Sequence, residues 1–201
     1  MKPSSETEDN EVTHLNRIDP EIEMAKPTRM YDYSSWGLSW AYGKTRGLVQ
    51  PYISTKFNAN PIDDNERVWL GDIATASNVT KLKEMNITHV VSAILGIGEL
   101  SSEFTYHRIP VRDVEWEELS AYFHSTADFI ENALNESPNN RVFVHCVCGV
   151  SRSATLVASW LVKYRNFGPD EAIEYLQSRR DVVDPNPGFR KQLQSFAQEI
   201  K

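Results

Sequence analysis

The chain has 201 residues, enough for one domain with a hydrophobic core plus an extension, and its 40% hydrophobic and 24% charged residues are typical of a globular protein. The formal charge of −7 argues against general binding to nucleic acid or to an anionic membrane surface. Two cysteines are too few for a disulfide framework, no apolar run is long enough to cross a bilayer, and the N-terminus lacks the apolar core of a signal peptide. We therefore expect a cytoplasmic protein, with the nucleus as the alternative compartment.

Residues 1–60 predict an N-terminal extension that differs in composition from the rest of the chain. The first half is polar and acidic, which is typical of a weakly ordered arm. The second half is crowded with aromatic side chains: Tyr31, Tyr33, Trp36, Trp40, Tyr42, Tyr52 and Phe57. Because each ring has a large apolar area to bury, this segment either packs over its own domain or docks on another subunit or partner. Since the cluster has no catalytic counterpart, we predict self-association, as a homodimer, through residues 1–60.

From residue 61 onward, strand-like and helix-like segments alternate along the chain. The β-branched run at 87–95 suits a strand that is covered on both faces. The alternation predicts an α/β fold with a central, mostly parallel sheet flanked by helices. The strands are predicted at 67–70, 87–95, 104–111 and 141–144, and the helices at 75–85, 117–134, 153–164, 169–178 and 189–200.

The most informative segment is residues 145–153, with the sequence His-Cys-Val-Cys-Gly-Val-Ser-Arg-Ser, directly after an apolar strand. It predicts a tight loop that opens a helix, with Cys146 and Arg152 around one turn of backbone N–H groups and with Gly149 where the backbone must curl. Amides at a helix N-terminus and a guanidinium bind a phosphate dianion and stabilise a thiolate. A shift of the thiol pKa by about three units would require roughly 4 kcal/mol of preferential stabilisation of the anion. The hydroxyl of Ser153 is close enough in sequence to hydrogen-bond the sulfur.

The string His145-Cys146-x-x-Gly149-x-Ser151-Arg152-Ser153 resembles the signature of cysteine-dependent protein phosphatases, specifically the dual-specificity group. The resemblance covers roughly residues 64–201 and is to the small atypical members of the group. It implies the cysteine-phosphatase fold, with residues 61–201 as the catalytic domain. Further segments resemble parts of the family in the same order along the chain. The opening strands correspond to 69–72 and 87–91, the general-acid loop and the helix after it to 109–113 and 119–123, and the C-terminal motif to 185–189 and 192–193.

The resemblance also implies a mechanism. Cys146 would attack phosphorus and form a cysteinyl-phosphate, Asp113 would act as general acid and then as general base, and Arg152 would clamp the phosphoryl oxygens. No metal and no cofactor is implied, and the partner would be a phosphorylated protein substrate. In supporting roles, His145 would orient the cysteine and help to hold its pKa down, Ser153 would assist breakdown of the intermediate, and Asn186 would brace the loop. The phosphate would be bound by the loop residues Val147, Cys148, Gly149, Val150 and Ser151, together with Arg152.

Several residues have competing interpretations. Spacing alone cannot distinguish Asp113 from the neighbouring Glu115, Glu117 and Glu118, and only the family alignment favours Asp113. Cys148 departs from the residue usual at its position, so it is either a tolerated small side chain or a redox partner for Cys146.

Two further patterns have structural and functional interpretations. The pair Arg179 and Arg180 is interpreted as the solvated end of a helix, with contact to an acidic substrate as the alternative. A zinc site at His145-Cys-x-Cys is disfavoured, because zinc takes four ligands and no second His/Cys pair exists.

The loop positions that face a substrate carry no basic residue, since 147, 148 and 150 are Val, Cys and Val. This argues against a phosphoinositide or an RNA 5'-phosphate as substrate. The short length leaves no room for insertions that deepen the pocket, so phosphoserine and phosphothreonine should enter as well as phosphotyrosine. The sequence therefore predicts a dual-specificity protein phosphatase. The alternatives are a phosphoprotein-binding scaffold with little turnover, or a phosphatase that acts on a non-protein phosphate such as a phosphoinositide or an RNA 5'-phosphate.

Overall fold

The computed structural model describes residues 57–96 and 98–201. The predicted self-association through residues 1–60 therefore falls outside the described residues, apart from the last four of the extension. The predicted boundary at residue 60 lies within the first strand, which begins at Ala59.

A five-stranded sheet forms the centre of the protein, and all but one of its strand pairs are parallel, which confirms the predicted fold class. The strand order is β1-β2-β5-β3-β4, and only β1 runs antiparallel to its neighbour. The strands are β1 (Ala59–Pro61), β2 (Val68–Gly71), β3 (His89–Ser92), β4 (Thr105–Arg108) and β5 (Val142–His145).

Helices cover both faces of the sheet. They are α1 (Ile73–Ala76), α2 (Val79–Glu84), α3 (Phe123–Glu136), α4 (Arg152–Tyr164), α5 (Pro169–Arg179) and α6 (Pro187–Glu199), with a 3₁₀ turn at Ser120–Tyr122. In the part of the chain that the structure covers, no helix combines the length and the apolar character needed to span a bilayer.

The central strand β5 is buried along its whole length because its side chains enter two separate cores. Val142 and Val144 pack into the larger core, which is shared with α3, α4, α5 and α6. Phe143 faces the smaller core on the side of α1 and α2. The next helix, α4, is buried continuously from Arg152 to Val162, as its apolar sequence predicts. The connection between β5 and α4 is therefore held between rigid, fully packed elements.

Two of the five predicted helices differ from the structure by more than a shift of one or two residues at an end. The single helix predicted at 75–85 is wrong, because the side chain of Asn78 accepts a hydrogen bond from the backbone N–H of Lys81 (3.0 Å) and starts a new helix there. The helix predicted at 117–134 is replaced at its start by the 3₁₀ turn. There the N–H groups of Leu119 and Ser120 donate to the side chain of Gln192 (2.9 and 2.8 Å), a long-range contact that local sequence does not reveal.

Candidate active site

The loop of residues 146–151 joins β5 to α4 in the middle of the carboxyl edge of the sheet. Gly149 has φ +67°, and a Cβ there would lie 2.5 Å from the carbonyl oxygen of Gly71. Glycine is required at this position both for its conformation and for the close approach of β2. The loop is thus folded tightly against its neighbouring strand.

All five carbonyl groups of residues 147–151 are bound by partners around the loop. Three accept from backbone N–H groups: Val147 from Ile73 (3.2 Å), Val150 from Asp184 (3.0 Å) and Ser151 from Thr155 (2.9 Å). The remaining two, of Cys148 and Gly149, accept from the guanidinium of Arg180 (3.3 and 3.0 Å). Because C=O and N–H point in opposite directions in a trans peptide, the amides of 148–152 face the interior of the loop. Converging amides of this kind form an anion-binding concavity.

Arg180 is a buried residue that contacts the loop, which the sequence analysis missed, and its interpretation as a solvated helix end is wrong. Its side chain is buried, whereas the neighbouring Arg179 is partly exposed and pairs with Asp64. Burial lowers the pKa of the Arg180 guanidinium, and the negative charges of Asp72 and Cys146 oppose that shift. The spacing of the buried residues in α5 contains the signal, since positions 172, 176 and 180 recur every four residues on one helix face.

The sulfur of Cys146 is buried at the centre of the loop and accepts two hydrogen bonds. The donors are the backbone N–H of Gly149 (3.3 Å) and the hydroxyl of Ser153 (3.2 Å). Burial is the largest influence on the thiol pKa and acts to raise it, as does the carboxylate of Asp113. The guanidinium of Arg152 and the hydrogen bonds from Ser153 outweigh these effects, so the pKa of Cys146 is lowered. The site therefore favours a thiolate, which is the nucleophilic form of cysteine.

Arg152 is buried beside the sulfur with one end of its guanidinium anchored. Its Nη1 donates to the carbonyl oxygens of Ala93 (3.2 Å) and Val111 (3.3 Å). Its Nε is buried without a hydrogen-bond partner among the residues that the structure describes, and lies 3.5 Å from a carboxylate oxygen of Asp113. An unsatisfied buried donor is costly, and a phosphoryl oxygen is a partner that would satisfy it.

His145 is fully buried at the end of β5, and its imidazole is neutral near pH 7. Burial lowers its pKa to about 4, a shift to which the nearby Arg152 cation contributes and which Asp72 opposes. Its Nδ1 lies 3.4 Å from the carbonyl oxygen of Cys146, and its ring stacks on Phe143. His145 therefore supports Cys146 through its position and not through a positive charge.

The carboxylate of Asp113 is held against the loop by two side chains. Its Oδ1 accepts from the hydroxyl of Ser151 (2.7 Å) and from Nδ2 of Asn186 (2.9 Å). The backbone N–H of Asn186 donates in turn to the hydroxyl of Ser151 (3.2 Å). Ser151 and Asn186 thus link the loop of residues 146–151 to Asp113, a contact that the sequence analysis did not assign to either residue.

The three glutamates that follow Asp113 are directed elsewhere. Glu117 pairs with Arg112 (2.8 Å), and Glu118 accepts from the hydroxyl of Ser120. Glu115 is exposed. Of the four carboxylates that spacing alone could not separate, Asp113 is the one that contacts the loop.

Gly188 fixes the position of the segment that carries Asp113. A Cβ at Gly188 would lie 1.9 Å from the carbonyl oxygen of Glu115. We expect Gly188→Ala to displace this segment and to lower kcat by about 10²-fold, because a displacement of the order of 1 Å in a catalytic group has that effect. The measurement is steady-state turnover of p-nitrophenyl phosphate.

The matched control is Gly168→Ala, since a Cβ at that other helix N-terminus would meet its nearest atom at 3.8 Å. It should keep wild-type kcat. Equal kcat values for the two variants would contradict the role of Gly188 in positioning the segment that carries Asp113.

Cys148 lies at the mouth of the loop, and its thiol is less acidic than usual. Desolvation and the neighbouring Cys146 thiolate raise its pKa to about 11. We expect iodoacetamide at pH 7 to modify Cys146 at least about 10²-fold faster than the more exposed Cys148, because only thiolates react. Peptide mapping by mass spectrometry measures both rates, and unfolded protein, in which the rates should converge, is the control. Comparable rates in the folded protein would contradict this prediction. Whether Cys148 is a redox partner for Cys146 stays a prediction.

Comparisons with known proteins agree with this geometry. A family model described as "Dual specificity phosphatase, catalytic domain" matches residues 68–199. The chain is 37% identical over 135 residues to dual specificity protein phosphatase 1B of Arabidopsis thaliana, covering 67% of this chain and 80% of that protein. It is 40% identical over 147 residues to dual specificity protein phosphatase 13B of Homo sapiens, covering 67% and 72% of the two chains. The crystal structure of a human tyrosine phosphatase-like serine/threonine/tyrosine-interacting protein superimposes with a TM-score of 0.66 at 26% identity, covering 72% of this chain and 98% of the other.

Proposed function

Because the chain belongs to the dual-specificity phosphatase family and is a protein phosphatase, we propose that it hydrolyses phosphotyrosine, phosphoserine and phosphothreonine through a cysteinyl-phosphate intermediate. The observation that carries the proposal is the pairing of a hydrogen-bonded Cys146 sulfur, within a loop of inward-facing amides, with an Asp113 carboxylate fastened to the same loop. This arrangement supplies a nucleophile, an oxyanion site and a proton donor in one place.

In the first step, the Cys146 thiolate attacks the phosphorus atom of the substrate. A sulfur–phosphorus bond forms while the bond from phosphorus to the ester oxygen breaks. Asp113 gives its proton to that leaving oxygen, so the product is a neutral phenol or alcohol. Arg152 and the loop amides bind the remaining phosphoryl oxygens, on which charge develops in the transition state.

In the second step, water hydrolyses the cysteinyl-phosphate. The Asp113 carboxylate accepts a proton from the water molecule as its oxygen attacks phosphorus, and the phosphorus–sulfur bond breaks. Cys146 leaves as a thiolate, which the hydrogen bonds from Ser153 and from the Gly149 N–H stabilise. Inorganic phosphate is released and Asp113 is protonated again, ready for the next cycle.

A phosphoprotein is the substrate class that the loop supports best. The side chains of Val147, Cys148 and Val150 are uncharged, so the loop offers the phosphoryl group Arg152 but no additional cation for a second or third phosphate. Polyphosphorylated ligands such as phosphoinositides and RNA 5'-triphosphates usually require such additional charges.

The test first measures turnover of p-nitrophenyl phosphate. It then measures phosphate release from peptides of one sequence that carry phosphotyrosine, phosphoserine or phosphothreonine. A phosphoinositide and an RNA 5'-triphosphate serve as the contrasting substrates. The proposal expects hydrolysis of all three peptides and little release from the contrasting pair. Absence of turnover by the unaltered chain on every substrate would favour the phosphoprotein-binding scaffold instead.

We also propose self-association through the aromatic part of residues 1–60. A chain that begins at Phe57 keeps β1 intact and lacks the rest of the extension. Sedimentation equilibrium of this chain should give the mass of a monomer where the full chain gives that of a dimer. Equal association states for the two chains would remove support for the proposal.

A further inference from the structure

We propose that Asn58 and Asn60 are positioning residues for the phosphatase reaction, which act through Arg180 on the phosphate-binding loop. The inference rests on the proposed function of that loop. It extends the active site to the N-terminal strand, a part of the chain in which no motif predicts a catalytic contribution.

The guanidinium of Arg180 is bound on two sides. Its Nη1 donates to Oδ1 of Asn58 (3.0 Å) and to Oδ1 of Asn60 (2.8 Å). Its Nε donates to the carbonyl oxygen of Gly149 (3.0 Å), and its Nη2 lies 3.3 Å from that of Cys148. Since the guanidinium is a rigid plane, the two asparagines determine where its other nitrogens meet the loop.

The loop peptides transmit this placement to the reacting sulfur. The carbonyl of Cys148 and the N–H of Gly149 belong to one planar peptide. A hydrogen bond that holds the carbonyl in place therefore also sets the direction of the N–H. That N–H is the group that donates to the sulfur of Cys146 (3.3 Å). In the peptide that follows, the carbonyl of Gly149 accepts from Arg180, and the N–H of Val150 is on the opposite side, toward the interior of the loop.

Asn58 is itself held in a defined orientation. Its backbone N–H donates to the hydroxyl of Thr75 (3.0 Å), and its Nδ2 donates to the carboxylate of Asp72 (2.7 Å). An amide side chain can accept from a cation and donate to a carboxylate at the same time, whereas alanine can do neither and aspartate only accepts. The chemistry of the position therefore specifies asparagine, between a buried guanidinium and a buried carboxylate.

The packing leaves the loop little freedom to shift independently of Arg180. A Cβ at Gly149 would lie 3.1 Å from the nearest guanidinium nitrogen and 2.5 Å from the carbonyl oxygen of Gly71. Asn60 lies in β1, opposite Leu70 of β2, and Asn58 is two residues before it, so both side chains are on the same side of this segment. Loss of either amide oxygen would leave one N–H of the buried Arg180 Nη1 without an acceptor, and loss of both would release that side of the guanidinium.

The test uses Asn58→Ala, Asn60→Ala and the double variant in the full chain. Calorimetric titration with inorganic phosphate and with orthovanadate measures the affinity of the loop for an anion. The rate of iodoacetamide modification of Cys146 against pH measures the thiol. We expect each single variant to weaken anion binding by about tenfold, as loss of a hydrogen bond to a charged group does. The double variant should bind more weakly still, with the alkylation inflection displaced to higher pH.

The matched control is Tyr175→Phe. Its hydroxyl donates to the carbonyl oxygen of Ile62 (2.7 Å), so it anchors the same N-terminal segment without contacting Arg180. This variant should keep the anion affinity and the alkylation profile of the unaltered chain, even if thermal melting shows a similar loss of stability.

Unchanged anion affinity in the double variant, or an equal loss in Tyr175→Phe, would overturn the inference. If the asparagine variants do not fold, Arg180→Lys keeps the buried charge but not the planar fork, and unchanged anion binding there would overturn it equally. None of these measurements requires turnover. A chain that binds phosphate but does not hydrolyse phosphate esters would therefore refute the proposed function alone.

Discussion

Replacement of Cys146 by serine is expected to lower turnover of p-nitrophenyl phosphate by about 10⁵-fold or more, as removal of a covalent nucleophile does. A serine hydroxyl holds its proton several pH units more tightly than a thiol does. The field of Arg152 and the hydrogen bonds from Ser153 and Gly149 are therefore insufficient to ionise it near pH 7. The measurement is the initial rate at saturating substrate.

Binding should survive this substitution, because the groups that hold phosphate are not altered. The inward-facing amides and Arg152 remain, so the calorimetric affinity for inorganic phosphate should change by no more than about threefold, well below the roughly tenfold expected from loss of one hydrogen bond to a charged group. The variant should therefore bind phosphorylated substrate proteins without dephosphorylating them. Residual turnover above about 1% of the parent rate would show that Cys146 is not the nucleophile.

The acidity of the thiol can be tested separately from turnover. In a Cys148→Ser background, the alkylation rate of Cys146 should follow its thiolate fraction, which rises as the pH passes upward through the thiol pKa. Since that pKa is lowered, the inflection should lie below the value of about 8.5 for an ordinary thiol. An inflection at or above that value in folded protein would contradict the thiolate that the mechanism requires.

The sequence was sufficient to predict the loop around Cys146 and the strand and helix that adjoin it, because these are local. A buried strand, a glycine in the left-handed region and a helix start lie within a few residues of one another, so β5, the loop and α4 follow from the order of residues. The parallel sheet also follows from the alternation of strands and helices, and the structure confirms it.

The supports of the loop could not be predicted in the same way, because they come from distant parts of the chain. Arg180 is 31 residues from Gly149, which it binds, and 120 residues from Asn60. A charged pair at the end of a helix resembles a solvated surface in sequence, and only the four-residue spacing of buried positions in α5 indicates otherwise. The strand β1 has three residues, too few for a periodic pattern.

The two catalytic parts of the site are coupled through side chains that belong to both. Ser151 is in the phosphate-binding loop, yet its hydroxyl donates to Asp113 and accepts from the backbone of Asn186. Asn186 also caps α6 by accepting from the N–H of Phe189 (2.9 Å). The position of Asp113 is therefore set by the loop and by the start of the last helix together, which explains why Gly188 is expected to affect turnover.

Asp113→Asn removes the transferable proton but keeps the contacts to Ser151 and Asn186, because an amide oxygen can still accept from both side chains. We expect kcat to fall by about 10²- to 10⁴-fold, the usual contribution of a general acid, with KM nearly unchanged. The loss should be smaller with p-nitrophenyl phosphate, whose leaving group is stable as an anion. It should be larger with a phosphoserine peptide, whose alkoxide must be protonated as it leaves.

Two variants complete the argument for Asp113. Asp113→Ala removes the contacts as well as the proton, so any loss beyond that of Asp113→Asn measures how much the position of the segment matters. Glu115→Gln is the matched control, because this exposed carboxylate is two residues away and does not contact the loop. Its turnover should match that of the unaltered chain with both substrates. If Asp113→Asn lost equal activity on both substrates, the residue would be acting through the geometry of the loop rather than by protonating the leaving oxygen.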